Sequence, residues 1–458
     1  MQKKIFPMIK DYLSIFVSYL IPLSTIFLFI IFDMYFISKL GEEKLASVGL
    51  VIPINSILIS ILGGMSISIG IKISSSYGAN LKERMKLKIW INSFLTLSLA
   101  FSLMFIYFIF QDYIFSIFNT TENIIEDSKT YLNVFILLLP IESIFIIYSF
   151  VLNVIGFYKL RIYSSIAIVF INIFLDYILI FGFQDIIPPL GLFGAALATF
   201  ISQLLLTILY FIILYKHNYL IFINKQLLKT YSIIKKIIYN AFMNIITNIF
   251  TFTSIFLYFI IISSFTVSEI AGYSVMSRVE LFVALIARSS SSALMILLGR
   301  YLGKKRYQDI PFVLNISNLL VFLWGVILVI SIFFFGEDFG ALFFKKQTDI
   351  ILFNNMLMIL ISGIVALGIA RNFEKIFISL EKPTSSVFIK IFQILSILFV
   401  ISYFSNIYGI EGFLYSQLIL SFIILFIHII IYYFYIYPSY IKNKTITNQN
   451  ININSSKI

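Results

Sequence analysis

Two carboxylic acids stand in stretches that otherwise carry no charge. Asp33 lies in the apolar run from Tyr12 to Ser38, and Asp176 in the run from Ile162 to Phe183. A charge at the centre of a membrane-crossing helix costs about 2.5–3.5 kcal/mol on insertion scales. Acids kept at such a cost belong as a rule to an ion or proton pathway. Asn172 precedes Asp176 by four residues, so the two share one helical face. Carboxylate and amide oxygens suit a hard cation such as sodium, and a carboxyl group in apolar surroundings can equally carry a proton. The chemistry on offer is ion coupling.

Further polar residues sit in apolar runs with less definite roles. Glu142 lies mid-run beside Pro140, where it could line a cavity or pair with Lys72. Asn240, Asn244 and Asn248 recur every four residues and form one stripe, suited to interhelical hydrogen bonds or to substrate contact. Arg278 and Glu280 are two apart and face different sides of their helix, while Arg288 and Ser289 to Ser292 make the same run polar. Glu374 stands beside Arg371 and Lys375, as expected of a local ion pair, and Lys390 is placed to snorkel to the surface.

The elements that position these groups are membrane helices. Of 458 residues, 60% are hydrophobic and 12% charged, against about 25% charged in soluble domains. Apolar runs of twenty or more residues recur twelve times, too long for barrel strands. The fold class expected is an all-α polytopic membrane protein. The first run is too long for a signal peptide and is expected to be retained. The +12 net charge is topological, not a nucleic-acid signal: Lys82, Arg84, Lys86 and Lys88 fill one loop and Lys225, Lys229, Lys235 and Lys236 another, whereas Glu122, Glu126 and Asp127 cluster in a loop at the opposite end. This bias places both termini in the cytoplasm. With no cysteine and only His217 and His428, disulfides and Cys-ligated metals are excluded and a zinc site is unsupported; no phosphate-binding loop for ATP hydrolysis is found.

The two halves echo each other. Leu45-Ala46 and Ile270-Ala271 are 225 positions apart, as are Gly78-Ala79 and Gly303-Lys304, and Gly191 to Gly194 has a weaker echo in Gly409 to Gly412. The expected organisation is two pseudo-symmetric six-helix lobes around a central cavity: an amino-terminal lobe (1–215), a cytoplasmic connector (216–236), a carboxy-terminal lobe (237–440) and a disordered polar tail (441–458).

Several strings resemble the MATE (multidrug and toxic compound extrusion) transporters: Asp33 to Gly41, Leu45 to Leu50 with Pro53, Tyr77 to Asn80, Asn172 to Asp176, Leu190 to Thr199, and Gly272 to Glu280. The pattern is most similar to the DNA-damage-inducible branch. By that resemblance Asp33 and Asp176 are the amino-lobe acidic pair, with Asn172 and Thr199 as polar neighbours in a coupling site for protons or sodium. The sequence departs from the sodium-coupled branch, which has acids in spans seven and ten; Ile237 to Ser264 contains none, and Glu374 is out of register.

The resemblance implies a secondary active exporter, not an enzyme, moving cationic or amphipathic drug-like molecules by antiport with alternating access. No cofactor is expected beyond the coupling ion, and no metal apart from sodium at the four named residues. The expected setting is a lipid bilayer, as an integral plasma-membrane protein acting as a monomer. The alternative is a lipid-linked oligosaccharide flippase of the same superfamily, which Arg278, Arg288 and Lys390 would suit.

Overall fold

The computed structural model describes residues 2–118, 121–184, 186–220, 231–341 and 346–442. Residues 221–230 of the expected connector and 443–458 of the expected tail lie outside the described residues. Within them the backbone is helical almost throughout, as lipid demands: each N–H and C=O must be satisfied inside its own segment. The helices are α1 (Gln2–Ser38), α2 (Glu42–Gly78), α3 (Lys82–Ser116), α4 (Glu122–Ile155), α5 (Tyr158–Phe181), α6 (Gly191–Lys216), α7 (Tyr231–Ile262), α8 (Val267–Gly303), α9 (Ile310–Ala341) and α10 (Gln347–Ser379). The remaining apolar helical stretch, Pro383–Pro438, has 56 residues and would reach about 84 Å if straight. Gly409 breaks it with φ 60° and ψ −143°, so residues 383–408 form α11 and 410–442 form α12. The twelve expected crossing helices are therefore present among the described residues.

The sequence echoes reappear as shared local structure. The second, fourth, sixth, eighth and tenth helices end in the same motif: Asn80, Gly156, Asn218, Lys305 and Glu381 take positive φ. The N–H groups of Leu81, Phe157, Tyr219, Arg306 and Lys382 each return 2.9 Å to the carbonyl five residues earlier, the bond that closes a Schellman cap. Gly191 and Gly409 open their helices with φ of 56° and 60°. Three residues later, a Cβ on Gly194 would stand 2.4 Å from the Leu179 carbonyl oxygen, and one on Gly412 would stand 2.2 Å from that of Phe404. Only glycine fits either position.

The residues form two compact units, 18–245 in one and 1–17 with 246–458 in the other. In the first, α4 is the central helix, with Ile136, Leu139, Ile147, Val151, Leu152 and Val154 at most 1% exposed, and it packs on α2, α3 and α6. In the second, α10 packs on α8, α9 and α12, and Leu294, Ile296, Leu297, Ile361, Phe377 and Phe413 are fully buried. A capping box starts α8: Thr266 N–H donates to Glu269 Oε2 at 2.9 Å while its hydroxyl accepts from Glu269 N. Large apolar side chains such as Phe105, Phe333 and Phe434 point outward, a surface that suits lipid and would be a liability in water.

Candidate functional site

The α5 helix presents one polar stripe to the interior of the amino-terminal unit. Arg161, Ser165, Val169, Asn172, Asp176 and Ile180 are its buried residues, spaced four, four, three, four and four apart. That spacing confines them to one face. The outer end of α5 is held against α6: Gly182, with φ 84°, turns the chain, Leu190 N–H donates to the Leu179 carbonyl at 2.9 Å, and Gly194 admits the α5 backbone without a clash. The α1 helix brings Asp33 to the same interior, 8% exposed, with Ile37 one turn further on fully buried.

The structure brings Asp33 and Asp176 close enough to repel each other, and Tyr131 of α4 feels both charges. The Tyr131 hydroxyl donates to Asp33 Oδ2 at 3.3 Å, a long bond for an O–H donor. Asp33 Oδ1, both oxygens of Asp176 and both amide atoms of Asn172 are buried without a hydrogen-bond partner among the described residues. Such groups are rare in folded proteins and call for a specific explanation, an ion among them. Thr199 of α6 is 9% exposed and donates to the Ala195 carbonyl at 3.2 Å, which leaves its oxygen lone pairs as acceptors. Ser202, one turn on, also has a buried and unpartnered hydroxyl. Tyr131 and Ser202 escaped the sequence reading; the pairing of Ser202 with Thr199 at a three-residue spacing was the available signal for the second.

The other candidates fall into separate settings. Glu142 accepts a hydrogen bond from the side chain of Gln203 on α6. Asn244 donates to Ser68 Oγ of α2 at 2.8 Å, an interhelical bond, while Asn240 is buried and Asn248 half-buried. The Arg278 side chain lies outside the described residues. Glu280 is half-buried and interacts electrostatically with Arg288 and Arg371; with Gln417 and Ser421 it lines a cavity of about 20 Å³, room for one water molecule. Arg288 itself is exposed. Glu374 is surrounded by Lys375, Lys390, His428 and Arg371. Lys390 turns inward to this acid and donates to Gln393 Oε1 at 3.0 Å, where the sequence suggested snorkelling. An attractive carboxylate close by outweighs the reach to water.

Comparison with known proteins places the fold. The probable multidrug resistance protein YoeA of Bacillus subtilis is 25% identical over 72% of this chain and 72% of its own. The multidrug export protein MepA of Staphylococcus aureus is 25% identical over 85% of each chain, and an FAD transporter of Shewanella oneidensis is 23% identical over 86% of this chain and 88% of its own. Among solved structures, the fold matches the "bent form" of the Vibrio cholerae MATE transporter VcmN with a TM-score of 0.80 at 20% identity, over 92% of this chain and 95% of that one. It also matches an outward-facing multidrug resistance MATE family transporter with a TM-score of 0.81 at 18% identity, over 92% and 94%. The MatE family model covers residues 20–178 and 241–404, and with most of the chain matched in both halves it belongs to the MatE family of membrane transporters.

Proposed function

We propose that this protein exports cationic or amphipathic drug-like molecules by antiport against protons or sodium ions. Asp33 and Asp176 are the coupling acids, with Asn172 and Thr199 completing the oxygen set. The observation that carries the reading is the group of buried oxygens without partners: Asp33 Oδ1, both Asp176 oxygens and Asn172 Oδ1. A bound proton or sodium ion neutralises charge that otherwise resists burial, so its affinity differs between conformations of the lobe, and only such a difference can shift a conformational equilibrium. Export follows if the lobes 1–215 and 237–440, joined by 216–236, open alternately to either side of the plasma membrane with both termini in the cytoplasm. The relatives named as multidrug proteins support this cargo. Lys390, one of three basic residues that would suit a lipid-linked oligosaccharide flippase, is engaged by Glu374 and Gln393, which favours the exporter.

The test is ethidium export from proteoliposomes under imposed proton and sodium gradients, with FAD as a second cargo. Export of ethidium driven by one gradient and lost in Asp176→Asn is the expected result. Export that ignores both gradients, or FAD moved in place of ethidium, would sink this reading.

A further inference from the structure

Pro22 leaves a gap in α1. Proline has no N–H, and its ring crowds the carbonyl four residues earlier, here that of Ser18. The Ser18 carbonyl oxygen is not left alone: it accepts from Arg161 Nη1 of α5 at 2.7 Å, the short distance of a charge-assisted bond. Arg161 is 8% exposed, its Nε donates to Ser149 Oγ of α4 at 2.9 Å, and its guanidinium lies 4.3 Å from the centroid of the Tyr19 ring. The Ser18 hydroxyl adds a bond to Asn153 Oδ1 of α4 at 2.9 Å. Among the described residues no carboxylate forms an ion pair with Arg161. Topology would account for a basic residue at this end of α5 but not for its burial. The group it serves is a backbone carbonyl.

The position of that bond matters because of what lies further along both helices. Asp33 follows Ser18 by fifteen residues on α1, and Asp176 follows Arg161 by fifteen on α5, about 22 Å of helix in each case. The bond therefore ties the two helices at equal distances from the two acids, and Arg161 shares the buried α5 stripe with Asp176. A slip of one residue would move Asp33 by about 1.5 Å and rotate it by about 100°. We propose that Arg161 is a positioning residue: it gives Ser18 the hydrogen bond that Pro22 withholds, and so sets the register in which α1 presents Asp33 to Asp176. Its effect on transport rests on the reading of these acids as the coupling pair; the bond itself does not.

Four proteins decide it: wild type, Arg161→Met, Pro22→Ala and the double variant. Alanine at position 22 restores an N–H to the Ser18 carbonyl, so it should make Arg161 dispensable. Arg161→Met alone should lower the melting temperature in detergent by several degrees and ethidium export about tenfold, the effect of roughly 1.4 kcal/mol. Pro22→Ala alone should stay near wild type, and the double variant should recover most of both losses. Register is read directly by nitroxides attached through Tyr35→Cys and Tyr177→Cys, two exposed positions beside the acids in a chain with no native cysteine. Their dipolar coupling should broaden in Arg161→Met and sharpen again in the double variant. Simple addition of the two effects, an unchanged Arg161→Met protein, or unaltered label coupling would overturn the proposal. If Arg161→Met does not fold, the double variant decides: folding there supports the substitution of one donor for the other, and failure overturns it. Melting and label coupling need no transport, so a wild type that exports nothing would end the exporter reading while leaving this pairing to be judged separately.

Discussion

The two units treat their interior acids in opposite ways. In the amino-terminal unit Asp33 and Asp176 repel each other, Asp33 takes a hydrogen bond from the Tyr131 hydroxyl, and among the described residues the remaining carboxylate oxygens keep open hydrogen-bonding capacity. In the carboxy-terminal unit Glu280 has Arg288 and Arg371 nearby, and Glu374 has Lys375, Lys390, His428 and Arg371. A carboxylate flanked by fixed cations has its charge balanced by the protein and gains little from binding another. Two carboxylates without such partners need a mobile cation or a proton to be buried at all. The same residue type is thus a structural tie in one half and a binding group in the other.

The sharpest way to break this contrast is to remove the charge on the open side. Asp33→Asn and Asp176→Asn should each reduce gradient-driven export by at least about a hundredfold, the scale of losing one essential charged contact of about 3 kcal/mol, while drug binding measured in detergent survives. Wild-type export with unchanged ion dependence in both variants would make these acids structural. Next come the duplicated turns. Gly194→Ala and Gly412→Ala both force a methyl against a backbone carbonyl, and each should lower stability by about 1–3 kcal/mol. Thermal unfolding of the two purified variants should show losses of similar size; a silent Gly412→Ala beside a disruptive Gly194→Ala would mean that the halves have stopped sharing this turn.

Smaller effects probe what surrounds the acids. Tyr131→Phe deletes the hydroxyl that bonds Asp33 and should shift the ion concentration for half-maximal export by about five- to tenfold, the range of roughly 1 kcal/mol, with maximal rate little changed. An unmoved half-saturation point would take Tyr131 out of the site. The smallest change in transport is expected for Glu374→Gln, because its charge answers cations of the protein; its cost should appear in melting temperature instead. Loss of gradient-driven export in a folded Glu374→Gln protein would move coupling into the carboxy-terminal half.

Much of this was legible in the chain because charge within an apolar run is conspicuous. Asp33, Asp176 and the Asn172 spacing stand out on those grounds, as do the twelve helices, since length and hydropathy carry that signal. Tyr131 gave no such signal: it is one of 28 tyrosines in an aromatic-rich sequence, and only the packing of α4 aims it at Asp33. Arg161 was masked by its position at the start of α5, where a basic residue is explained by membrane topology alone. Lys390 was read as a surface group because the carboxylate that attracts it, Glu374, is sixteen residues away in sequence. Local pattern finds an unusual residue but does not find the partner that lies on another helix.

The five matching helix stops carry a consequence for how the protein is made. Each is closed by a bond spanning only six residues, and four of the five left-handed positions are held by asparagine, lysine or glutamate instead of glycine. Local hydrogen bonding, not a missing side chain, sustains the bend. A reversal encoded over so short a stretch can form on a nascent chain before its neighbours have been synthesised. Helical hairpins could then enter the bilayer with their turns already set at the ends that carry the basic loops, leaving later assembly to concern only which hairpin packs on which.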